Sequence, residues 1–163
     1  MTEFLFYHLE RSKLEQVLPV LLEKSLEHGS RVMVCTNHSD GVGALDDHLW
    51  TYRDDSFLPH VVLGSSDFEE SEPVLLSRVN GDAVKAPPNG ADFLFLVQGA
   101  QYPYEDLKKF TRTIVMFDGR DDEALGEARG FWKVLRDASK EENNDFSQTY
   151  WRQNDQGRWE QQA

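Results

Sequence analysis

The sequence predicts an α/β fold: a single domain with a largely parallel central sheet flanked by helices, similar to a nucleotide-binding fold without a working nucleotide site. Three observations carry this expectation. Short apolar runs at residues 31–36, 92–97 and 113–117 lack polar alternation, which is how strands buried on both faces read. Between the runs, apolar residues recur at three- and four-residue spacing, the period of an amphipathic helix. Strands that alternate with helices are the pattern of crossover units in a parallel sheet. A chain of 163 residues is long enough to bury a real core, and no internal repeat or linker divides it.

The first strand opens at Phe4-Leu5-Phe6-Tyr7. Leu14, Val17, Leu18, Leu21, Leu22 and Leu26 then mark one face of a helix. Ser12 with Glu15 three residues on is a candidate capping box, and Gly29 stands where a C′ glycine is expected. Pro19 lacks an N–H and is expected to kink this helix or tighten its first turn. Residues 31–36 follow as a buried parallel strand. In the next helix Val42, Leu45 and Leu49 share a face, and Trp50 lies about 100° off it. Residues 54–60 form a turn that carries Phe57. A strand at 73–77 interrupts an otherwise loop-rich stretch from 64 to 90. Residues 92–97 are the expected central strand, 104–110 a short helix and 113–117 the next strand. Asp118-Gly119 turns the chain into a helix over 121–138. Residues 140–144 are polar loop, and Tyr150-Trp151 and Arg158-Trp159 flank residues 154–157 as a candidate hairpin or flexible tail. The organisation expected is an α/β body over residues 1–140, with residues 141–163 a polar C-terminal hairpin or tail of the same domain.

The helix over 121–138 is the most informative. Ala124, Phe131, Val134, Leu135 and Ala138 gather on one side, the expected buried face. Arg129, Lys133 and Arg136 line the opposite side with Trp132 just beside them. The whole chain has 29 Asp and Glu against 17 Lys and Arg, a net charge of −12. On so acidic a body, a basic and aromatic patch suits a small anionic, hydrophobic ligand or peptide. The alternative is a solvated face whose cations offset the helix C-terminal dipole, with Trp132 tucked under a neighbouring loop.

The same charge argues against nucleic-acid binding by the surface as a whole and against adsorption to an anionic membrane. No apolar stretch approaches the roughly 20 residues of a membrane span. The first residues read as a strand rather than a signal peptide. A single cysteine, Cys35, allows no internal disulfide, and a cytoplasmic location is the expectation.

Catalytic patterns are weak. Gly41-Val42-Gly43 follows a strand and opens a helix, but Asp46 occupies the third glycine position of a dinucleotide loop. Asp40, Asp46 and Asp47 would repel phosphates there. A nucleotide-binding enzyme using this loop is the alternative reading of the chain. The pairs Asp46-Asp47, Asp54-Asp55 and Asp121-Asp122 could hold Mg²⁺, yet acidic pairs in first turns more often compensate helix dipoles. His8, His28, His38, His48 and His60 lack zinc-site spacing, and Cys35 with His38 nearby reads as a small hydrophobe within a strand. No metal, cofactor or catalytic residue is expected.

In Leu45-Asp46-Asp47-His48-Leu49-Trp50, followed by Ser56-Phe57-Leu58-Pro59-His60, the chain resembles the chi subunit family of bacterial DNA polymerase III. Phe6-Tyr7-His8-Leu9, Phe117-Asp118-Gly119 and Ala128-Arg129 through Arg136 extend the likeness over essentially the whole chain, and the closing Tyr150-Trp151 and Arg158-Trp159 segments resemble longer members. The resemblance implies a non-enzymatic adaptor of the clamp-loader assembly, nucleoid-associated through the replisome. It implies partners as well: the acidic C-terminal tail of single-stranded DNA-binding protein, the psi subunit and, in some members, a repair helicase. The family's tail-binding surface falls on Arg129, Trp132 and Lys133, with Arg136 within reach of tail aspartates. Its psi or helicase surface falls on Trp50 and Phe57. Some members carry a basic residue a turn before Arg129; Leu125 stands there, so the resemblance implies weaker tail binding or a shifted register.

Overall fold

The computed structural model describes residues 2–38, 40–52, 58–65, 69–79, 81–141 and 145–162. Along the chain the elements are β1 (Thr2–Leu9), α1 (Leu14–Glu27), β2 (Val32–Thr36), α2 (Gly41–Thr51), β3 (Val61–Val62), β4 (Val74–Arg78), α3 (Gly81–Lys85), β5 (Phe93–Val97), α4 (Tyr104–Leu107), β6 (Arg112–Asp118), α5 (Asp122–Ala138), β7 (Phe146–Gln153) and β8 (Trp159–Gln161). The strands form one sheet in the order β3-β4-β2-β5-β6-β1-β7-β8. Every neighbouring pair is parallel except β7 with β8. The α/β class and the largely parallel sheet agree with the sequence. The stretch read as loop-rich contains α3 in addition to the expected strand, and β3 lies just before it.

Strand alternation sorts the apolar residues onto the two faces. Val32, Val34, Phe93, Phe95, Ile114 and Met116 meet Val17, Leu18 and Leu22 of α1 and Leu45 and Leu49 of α2. Met33, Cys35, Leu94, Leu96, Val115 and Phe117 meet Val84 of α3, Leu107 of α4, and Phe131 and Leu135 of α5. Because both faces are covered, β2 and β5 are buried at every position, as their unbroken apolar runs require.

The start of α1 is one residue later than the Ser12–Glu15 pair suggests. Lys13 is the N-cap, and its backbone N–H donates to Gln16 Oε1 at 2.8 Å. Ser12 Oγ instead accepts from Gln153 Nε2 of β7 at 3.2 Å. The helix ends as expected at Gly29, whose φ is +80°. Gly29 N–H bonds Leu26 O and Ser30 N–H bonds Ser25 O. Pro19 lies inside α1, buried, and cannot supply the N–H that Glu15 O would take from it. His48 of α2 supplies it: Nε2 lies 2.5 Å from Glu15 O. The missing donor of one helix is thus replaced from the next.

β6 and β7 flank β1, so α5, which connects them, passes over β1. Phe6 of β1 stands opposite Tyr150 of β7 and Val115 of β6. Two ion pairs fasten β7 and its turn to the end of β1: Arg152 bonds both Glu10 carboxylate oxygens at 2.8 and 2.9 Å, and Arg11 bonds Asp155 at 2.5 Å.

Candidate functional site

Asp121 caps α5, its carboxylate accepting from the backbone N–H groups of Glu123 and Ala124 at 3.0 and 3.4 Å. Ala128, Phe131 and Leu135 are the buried residues of the helix, while Ala124 and Ala138 are half-buried. Two expectations need correction. Val134 is not buried but 58% exposed. Trp132 does not stand on the face away from the core; its ring meets Phe6 edge-on at 5.1 Å and Tyr150 at 5.8 Å. The cause is β7. By widening the sheet beyond β1 it presents Tyr150 beneath the helix, and α5 turns its apolar stripe toward Trp132 and away from Val134. Gln148 of β7 adds a hydrogen bond from Nε2 to Trp132 O at 2.8 Å.

Arg129, Lys133 and Arg136 are exposed along the same flank of α5. Among the described residues none of them pairs with a carboxylate within ion-pair distance. The structure therefore brings Arg129, Trp132, Lys133 and Arg136 together on one flank, with the indole half-buried and the three cations without an ion pair among the described residues.

Within the electrostatic influence of Arg129 lies a pair that the sequence does not join. His8 Nδ1 and the Tyr150 hydroxyl are 2.7 Å apart. His8 is buried, with its ring against Phe117 and Tyr150. Burial foremost, and Arg152 next, hold the His8 pKa below its ordinary value, and Arg129 pushes the same way; Glu10 and Asp118 oppose them. Burial likewise raises the Tyr150 phenol, against the pull of Arg129 and Arg152. The other ring edge of His8 lies on Gly119, where a Cβ would fall 1.9 Å from Nε2. That close approach explains the glycine of Phe117-Asp118-Gly119.

On the α1/α2 side, Trp50 is 50% exposed and rests on His60 with ring centroids 4.3 Å apart. His60 is buried, its Nδ1 2.6 Å from Leu58 O and its Nε2 3.0 Å from Asp46 Oδ1. Asp46 and His60 thereby fix the ring on which the indole stands. Phe57, expected beside Trp50, lies outside the described residues.

A cavity of about 570 Å³ opens at the C-terminal ends of β1, β5 and β6, where open α/β sheets commonly bind ligands. Two features that could hold phosphate there are engaged: Asp121 takes the N-terminal amides of α5, and Asp118 pairs with Arg120 at 3.2 Å. Glu15, Glu123 and Glu127 add negative charge to the lining. At the Gly41 loop, a Cβ on Gly41 would lie 2.4 Å from Gln98 Oε1 and 2.5 Å from Thr36 Oγ1, so its glycine answers to packing of α2 on β2 and β5. Among the described residues no three His, Cys, Asp or Glu are grouped to hold a metal, and no helix is long and apolar enough to cross a membrane.

An almost wholly parallel sheet with helices on both faces places the chain in the class of doubly wound α/β proteins. Within that class, it belongs to the family of the DNA polymerase III chi subunit, HolC, whose family model matches residues 1–142. The family is an accessory subunit of DNA polymerase III within its clamp-loader assembly, and this chain is accordingly a component of DNA replication. No curated protein matches the chain. β7 and β8 lie beyond the matched residues, so His8 of the matched part meets Tyr150 of the unmatched part.

Proposed function

We propose that the chain is a non-catalytic tether. It holds the acidic C-terminal tail of single-stranded DNA-binding protein on α5 and binds the psi subunit through Trp50 and Phe57, or in some settings a repair helicase. One observation carries the first contact: on a body of net charge −12, Arg129, Lys133 and Arg136 stand beside a half-buried indole without acidic partners among the described residues. Arg129 suits a terminal carboxylate taken through two parallel N–H donors. Lys133 and Arg136 suit the aspartates of the tail, and Trp132 offers a ring edge to a terminal phenyl group. Cytoplasmic work at the replisome, with little direct nucleic-acid binding and no membrane contact, follows from this role.

The test is an anisotropy titration with a labelled acidic peptide ending in Asp-Ile-Pro-Phe. Saturable micromolar binding, about −8 kcal/mol, is expected to weaken with salt and to vanish when the terminal carboxylate is amidated. Arg129→Glu should cost at least about 2 kcal/mol of that affinity. An affinity unchanged by Arg129→Glu overturns the site.

A further inference from the structure

We propose that Tyr150 is a second donor to the anionic group bound at Arg129, and that protonation of His8 releases its hydroxyl for that contact. The inference rests on the reading of α5 as a site for a peptide carboxylate. It goes further by assigning the inner wall of that site to β7.

The geometry runs as follows. Trp132 and Tyr150 meet edge-on at 5.8 Å, and Arg129 lies one helical turn before Trp132 on α5. The hydroxyl of Tyr150 is thus in the seam between α5 and β7, within reach of the Arg129 charge. Among the described residues it is hydrogen-bonded to His8 Nδ1 at 2.7 Å. That hydrogen bond has two directions. With a neutral imidazole protonated on Nε2, Nδ1 is an acceptor and the tyrosine proton is spent on it. With an imidazolium, Nδ1–H donates to the tyrosine oxygen, and the O–H turns outward as a free donor.

The groups that face His8 set the bias. Arg152 on β7 and Arg129 on α5 disfavour the imidazolium, as does burial; Glu10 after β1 and Asp118 at the end of β6 favour it. A carboxylate arriving at Arg129 cancels part of the positive charge near the ring. Binding therefore promotes proton uptake at His8, and by linkage a falling pH strengthens binding. The free His8 titrates below its ordinary value, so the gain develops chiefly as pH falls below about 6.5.

The experiment is the same peptide titration at pH 7.5, 6.5 and 5.5 on wild type, Tyr150→Phe and His8→Leu, each checked for an unchanged far-ultraviolet spectrum and cooperative melting. In wild type, affinity should rise about tenfold as pH falls, the scale of one hydrogen bond to a charged group. Tyr150→Phe should keep only the small rise that the added charge on His8 supplies and stay close to the weak, high-pH level at every pH. His8→Leu, whose tyrosine has no competing acceptor, should bind at the strong level at every pH. The two variants thus flatten the profile at opposite ends, which a general loosening of the seam would not do. A Tyr150→Phe profile that matches wild type overturns the inference and leaves the peptide site standing. Absence of peptide binding by wild type at all three values overturns the peptide site, and the inference with it.

Discussion

Gly119→Ala turns the contact between β6 and β1 into a measurable energy. An added Cβ would lie 1.9 Å from His8 Nε2, 2.1 Å from Cδ2 and 2.7 Å from Cε1. Ordinary contacts between such atoms are about 3.5 Å or more, so backbone or ring must retreat by roughly 1.5 Å. The backbone is held, because Gly119 N–H bonds Leu9 O at 2.7 Å. Ring movement is opposed by Phe117 and breaks the 2.7 Å bond to Tyr150. Overpacking costs about 1–3 kcal/mol and a lost buried hydrogen bond about 1–3 more, so the variant should be less stable by about 2–5 kcal/mol. Its φ is not positive, so the whole cost is one of space. Urea unfolding followed by circular dichroism should show the midpoint falling by roughly 1–2 M at an unchanged slope. The double-mutant cycle completes the test: in a His8→Ala background the same change should cost no more than about 1 kcal/mol, since the atoms it strikes are gone. A cost below about 0.5 kcal/mol in the wild-type background, or an equal cost in both, refutes the steric account.

Two further outcomes follow from single contacts. His48→Ala leaves Glu15 O without its donor and should lower stability by about 1 kcal/mol; with Pro19→Ala added, the helix supplies its own N–H and most of that loss should disappear in the same urea assay. Burial pushes the Cys35 thiol up to about 11, against a lesser opposing hydrogen bond from Tyr102, so almost no thiolate exists at pH 8. A disulfide reagent should therefore leave the folded protein unmodified at that pH and react promptly once urea unfolds it; prompt reaction in the folded state would show that Cys35 is not enclosed.

The sequence carries the fold class because buried parallel strands leave a mark that local reading detects: β2, β5 and β6 are apolar runs whose every inner position is enclosed. It carries the cations of α5 because a helical period places Arg129, Lys133 and Arg136 together. What escapes is whatever depends on sheet order. That β7 lies beside β1 is a contact between residues about 140 positions apart, and nothing near residue 150 announces it. Without that strand the α5 stripe centres away from Trp132 and Val134 looks buried; with it Trp132 packs inward and Val134 is exposed. The same pairing hides the contact between His8 and Tyr150: each stands in a segment that carries the family likeness, but nothing in their spacing joins them until the strands are side by side. Asp46, Trp50 and His60 differ, since they stand close together in the sequence, in the two neighbouring segments on which the family likeness opens. Their spacing marks them, and the structure supplies the reason: Asp46 fixes His60, and His60 carries the indole.

A tether must hold two partners at once, and the placement of the two candidate surfaces bears on that requirement. Trp50 projects from α2, whose buried residues pack on the same sheet face as α1. Arg129, Trp132, Lys133 and Arg136 project from α5, which packs on the other face. The sheet and both its layers of enclosed side chains lie between Trp50 and the α5 residues. Sites so separated should be energetically independent, with couplings no larger than about 0.5 kcal/mol. Trp50→Ala should therefore leave the affinity for the acidic peptide within about twofold of wild type, and Arg129→Glu should leave capture of a psi-derived segment equally unchanged. Titrations of each variant against each ligand would check this. A tenfold loss of peptide affinity on removing Trp50 would mean that the two faces communicate through the sheet, and simple simultaneous tethering would then be the wrong mechanism.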